Sequence, residues 1–110
     1  MRAYLIDELS SQDVEKTNQY LMQSALASGL EKIFWVPLPN HLLSDIQLRH
    51  HACQPFVFPV ELGRKWVKME FFVHSLKGLT CGCQDYPTQS QMIFILDWTH
   101  QMIRDLDIKT

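Results

Sequence analysis

The chain reads as an α+β domain: a mixed sheet of four or five strands, a βαβ unit leading into an antiparallel meander, with helices mainly on one face. Three observations predict this. Residues Phe56–Val73 alternate apolar and polar about Gly63-Arg64, as a β-hairpin does. Two stretches, from Ser11 to about Ser28 and from Thr88 to about Leu106, carry apolar residues at helical spacing. Strand-like segments flank the first of them, so the chain begins strand, helix, strand.

Taken in order, Arg2–Ile6 predicts a short strand. Ser10 or Ser11 offers an N-cap, and Asp13 and Glu15 suit the positive end of the helix that follows. Val14, Leu21 and Ala25, with Tyr20 and Leu26, form its apolar stripe, and Gly29 is placed as the residue after its C-cap. Ile33–Val36 is apolar without alternation, which predicts a strand covered on both faces, parallel to the first. Asn40 can cap a second helix over His41–Ala52, which Pro55 ends. Thr88 and Gln91 fit a capping box for the last helix, striped by Met92, Leu96, Thr99, Ile103 and Leu106, with Ile95 and Met102 widening the stripe.

The hairpin is the best-determined element. Glycine suits the first central position of a two-residue type II′ turn, so Gly63-Arg64 pairs Leu62 with Lys65, Val60 with Val67, Phe58 with Met69 and Phe56 with Phe71. The last three pairs share one apolar face. The opposite face receives Glu61, Trp66, Lys68, Glu70 and Phe72, and a slip of one residue would mix the two. Pro59 cannot donate to a ladder, which places Phe56–Leu62 at a sheet edge. Leu79–Cys83 reads as a third meander strand or a loop.

A length of 110 residues predicts one domain, 1–110, large enough for a single core. Hydrophobic residues at 46% and charged residues at 20% are ordinary for a globular chain. A net charge of −2 without a basic run argues against a nucleic-acid partner. No apolar run approaches the length of a membrane span or a secretory signal. Three cysteines without an export signal predict reduced thiols and a cytoplasmic setting.

Chemistry concentrates beside the hairpin. His50 and Cys53 precede it, and Cys81-Gly82-Cys83 follows it. Three sulfurs and one imidazole are a donor set for zinc. The hairpin register opposes their convergence: with Leu79–Cys83 in the ladder, Cys53 lies roughly 12 Å from Cys81 and Cys83 by strand geometry. The competing reading is buried, inert thiols. Thiol redox chemistry at Cys81 and Cys83 would require a lowered pKa and ranks below the metal. Asp7 and His41, near the carboxyl ends of the two expected parallel strands, could perform acid–base work. Their competing reading is solvated charge.

The leading expectation is therefore a small binding domain without catalysis of its own. It would self-associate through the hairpin face, where Trp66 and Phe72 sit among Lys68 and Glu70, or through the hairpin edge. A zinc domain built on Cys81, Cys83, Cys53 and His50 is the alternative, and an acid–base enzyme the third.

Overall fold

The computed structural model describes residues 1–110 and has the expected α+β architecture. Its strands are β1 (Ala3–Ile6), β2 (Leu26–Ala27), β3 (Ile33–Pro37), β4 (Phe56–Leu62), β5 (Val67–Glu70) and β6 (His74–Ser75). Its helices are α1 (Ser11–Ser24), α2 (Asp45–Arg49) and α3 (Gln89–Asp105). The sheet has six strands, in the order β1-β5-β4-β3-β2, with β6 also on β4. Every pairing is antiparallel.

The parallel βαβ unit is absent. Strand β1 pairs with β5, and two strands separate it from β3. Alternation within a four-residue strand fixes which side chains share a face, but not which later segment supplies the neighbour. Helix α1 instead connects one edge strand to the other. Ser10 caps it, accepting from the Asp13 amide at 3.0 Å. It ends at Ser24, because Leu26 and Ala27 pair with Trp35 and Phe34. Gly29, at φ +86°, therefore belongs to the β2–β3 turn and does not follow a helix C-cap.

The second helix is much shorter than expected. Asn40–Leu42 and His51–Cys53 are single 3-10 turns, and only Asp45–Arg49 is α-helical. Ser44, not Asn40, is the cap: Ser44 and Gln47 form a reciprocal capping box. Helix α3 starts as read, with Thr88 and Gln91 forming a second such box.

The hairpin keeps its faces and loses its register. Leu62 pairs with Val67 and Val60 with Met69, so the turn spans Gly63–Trp66. The Trp66 ring is the cause. It lies so close to Gly63 that a Cβ there would stand 2.0 Å from it, and the Gly63 amide donates to the Trp66 carbonyl at 2.9 Å. A shift of two residues preserves the side-chain period. Phe56, Phe58, Val60, Leu62, Val67 and Met69 accordingly remain buried. They form the core with Leu21 of α1 and Ile95 and Met102 of α3. Phe94 and Trp98 of α3 pack edge-on against Phe58. Each such side chain contributes about 1.5–3 kcal/mol when removed from water.

Strand β4 is central, not an edge. The Leu38 amide bonds the Phe56 carbonyl and the Leu62 amide the Lys32 carbonyl, so even-numbered residues of β4 serve β3. Odd-numbered ones, Pro59 included, turn toward β5 and β6. There Phe71–Val73 bulges from the ladder: Val60 lies opposite Met69, but Val57 lies opposite His74. Pro59 falls at this break, where no partner awaits its missing N–H.

Candidate metal centre

The site lies where β4 begins and β6 ends. His50 caps α2, and Cys53 closes the 3-10 turn that follows. Such a turn has three residues per revolution, so positions 50 and 53 share one side. Residues 79–83 form turns outside the sheet, which resolves the strand-or-loop question in favour of loop.

The bulge brings the two segments together. Two successive shifts of two residues move the level of Cys53 from His74 to Gly78. Gly78 lies so near that a Cβ there would stand 2.5 Å from the Cys53 sulfur. The chain then folds back. The Cys81 amide bonds the Gly78 carbonyl at 3.0 Å. Gln84 accepts from the Ser75 amide and donates to the carbonyls of Leu79 and Cys81. The Ser75 hydroxyl accepts from the amides of Lys77 and Gly78 and donates to the Cys53 carbonyl.

The expected separation of roughly 12 Å, which assumed an unbroken ladder, is thereby overturned. The ligand atoms of His50, Cys53, Cys81 and Cys83 all lie within 4.8 Å of one another. His50 Nδ1 is 3.2 Å from the Cys81 sulfur and 4.0 Å from that of Cys53. Tetrahedral zinc would set sulfurs about 3.8 Å apart and sulfur and nitrogen about 3.5 Å apart, given its ordinary bond lengths. The donor set fits in number, type and spread.

Burial differs across the four. Cys53 and Cys83 are buried, while His50 and Cys81 are half-exposed. Hydrogen bonds from the Cys83 main chain and side chain, assisted by His50 and Cys53, lower the Cys81 thiol to about 7 against the pull of burial. Burial, with the neighbouring Cys81 and Cys53, pushes the Cys83 thiol up to about 12. Without a cation the pocket favours negative charge on Cys81 and a neutral thiol on Cys83.

A buried amide pair holds the site from behind. Gln47 Nε2 donates to the Cys83 carbonyl at 3.2 Å. Gln47 Oε1 accepts from the Ser44 amide at 3.0 Å and from Gln91 Nε2 at 2.9 Å. Gln91 Nε2 also reaches the Leu42 carbonyl. Both glutamines are capping-box residues. The motif announces a helix start in sequence, but carries no sign that the two boxes meet.

The other expected residues have different placements. Trp66 and Phe72 stand at opposite ends of β5. Trp66 covers Gly63, and Phe72 packs at a tilt against His74 and edge-on against Tyr86. Lys68 pairs with Glu61 at 3.2 Å and Glu70 with His74 at 2.6 Å. A groove of about 270 Å³ crosses this face, lined by Met1, Ile33, Trp35 and Pro59 together with those charged pairs. Asp7 follows β1 and His41 follows β3. Those strands run in opposite directions, so the two residues lie at opposite ends of the sheet and share no cavity or hydrogen bond. His100 meets the Tyr4 hydroxyl at 3.2 Å, a contact across 96 positions that no local pattern signals. No helix is long and apolar enough to cross a membrane. Comparison with protein-family models, curated proteins and solved structures finds no match to this chain.

Proposed function

We propose that this protein is a zinc-binding domain in which His50 Nδ1 and the sulfurs of Cys53, Cys81 and Cys83 hold one ion. The observation that carries the reading is their convergence within 4.8 Å from segments about thirty positions apart. Four protein donors fill a tetrahedral shell and leave no position for substrate, so the ion's role is structural. It would fasten the 3-10 turn before β4 to the loop after β6, and neutralise thiolates that cannot otherwise share the pocket.

Elemental analysis of protein purified without added metal is the test. The expected result is about one zinc per chain, lost together with thermal stability in a strong chelator. Absence of stoichiometric metal, with no rise in Tm on adding zinc to reduced protein, would overturn the reading. Cys83→Ser should lose the metal while its far-ultraviolet spectrum reports whether the domain still folds.

A further inference from the structure

The two outer strands of the sheet are unlike. Strand β2 has two residues, too short to recruit another strand, whereas β1 has four and lacks the proline, lysine or bulge that commonly blunts an edge. The Phe71 amide donates to the Arg2 carbonyl at 2.8 Å, so even-numbered residues of β1 spend their main-chain groups on β5. The N–H and C=O of Ala3 and Leu5 therefore face outward. Leu5 is 52% exposed.

A groove of about 460 Å³ runs beneath this edge, between β1 and α3, lined by Tyr4, Ile6, His100, Ile103 and Arg104 among others. Tyr4, central in β1, touches His100 of α3. Along α3, Ile93, Asp97, His100 and Arg104 follow helical spacing and are exposed. Neither Asp97 nor Arg104 forms an ion pair; the Arg104 guanidinium reaches only the Gln101 side chain.

We propose that a second copy of this chain pairs with β1 across a two-fold axis perpendicular to the sheet beside Tyr4. The parity of the free edge admits this register. Ala3 then bonds Leu5 of the second copy, Leu5 bonds Ala3, and Tyr4 faces Tyr4. The same axis runs near His100, whose imidazole meets the Tyr4 hydroxyl at 3.2 Å. Helix α3 and its copy then run antiparallel on one face. Asp97 and Arg104 stand three and four residues to either side of His100, so each meets its opposite charge in the copy. Strand edge and helix stripe are thus self-complementary about one axis, which is what an isologous interface requires. A foreign strand would satisfy the edge but has no reason to match the charges. The proposal does not rest on the metal centre.

Sedimentation of the full chain over a concentration series, with Asp97→Arg, Arg104→Asp and the double exchange, tests it. The wild type should be a dimer. Each single reversal places like charges together and should raise the dissociation constant at least roughly tenfold. The double exchange should restore it. All four positions in the dimer are solvent-exposed in the monomer, and circular dichroism checks each fold. A wild-type monomer at the highest soluble concentration, a dimer indifferent to the single reversals, or a double exchange that fails to rescue would each overturn the proposal.

Discussion

Gly78 abuts the sulfur of Cys53: a Cβ at position 78 would stand 2.5 Å from Sγ and 3.2 Å from both the Cys81 Cβ and the Ser75 hydroxyl. Two of the candidate donor residues and the Ser75 side chain converge on a point where only hydrogen fits. Gly78→Ala should displace Cys53 from the donor set and weaken zinc binding by about 10- to 100-fold, the range seen when support for a ligand is lost. Competition against a chromophoric chelator measures it. Unchanged affinity would mean that Cys53 is not a ligand.

The metal-free protein should have a stability maximum near pH 9. Cys81 is lowered to about 7 in the fold from an ordinary 9, so its contribution is complete above pH 9 and is lost as pH falls through 7. Cys83 is raised from 9 to about 12, so its contribution is complete below pH 9 and is lost as pH rises toward 12. Urea midpoints of chelated, reduced protein from pH 6 to 11 trace the curve. Cys83→Ala should flatten the alkaline limb and, because it removes the side-chain hydrogen bond to Cys81, weaken the acid limb in part. An alkaline limb unchanged in that variant would rule out Cys83 as its source.

The Gln47–Gln91 pair should behave as one unit. Gln47→Leu strands the Cys83 carbonyl and the Ser44 amide and takes one acceptor from the Gln91 amide, which keeps the Leu42 carbonyl; each polar group left unsatisfied costs about 1–3 kcal/mol. Gln91→Leu breaks as many bonds, to the Thr88 amide, the Leu42 carbonyl and the Gln47 oxygen. The double replacement should cost less than the two singles summed, since it removes both buried amides together. Chemical denaturation of the four proteins gives the coupling; strict additivity would mean that the amides act independently.

Gly63→Ala should unseat Trp66. Its Cβ would stand 2.0 Å from the indole, a contact that the ring must leave. The expected cost is about 1–3 kcal/mol, the usual price of overpacking, with a changed near-ultraviolet signal from the indole. A wild-type spectrum and midpoint would show that the turn does not depend on this packing.

Faces were legible in the sequence, and neighbours were not. Phe58, Val60 and Met69 are buried as their alternation predicts, because a two-residue slip leaves every side chain on its own face. The slip itself came from Trp66 settling on Gly63, a contact that turn preferences do not encode. From sequence, Pro59 is compatible with an edge or a bulge; it marks a bulge, and nothing in the residues around it separates those two uses of proline. The same bulge decides the metal centre. His50, Cys53, Cys81 and Cys83 could be named as donors from their chemistry. Their convergence could not be derived, because it depends on register shifts that sum to four residues between Leu62 and Val57. The pairing of β1 with β5, across more than sixty positions, is a long-range contact with no local signature.

His50 and Cys53 precede the Gly63–Trp66 turn, and Cys81 and Cys83 follow it. A chain cut inside that exposed turn would yield two fragments, each carrying half of the donor set and one side of the β4–β5 ladder. Zinc would then act as a molecular rivet: the halves should reassemble when the ion is supplied and separate when a chelator withdraws it, making the protein a split reporter of free zinc.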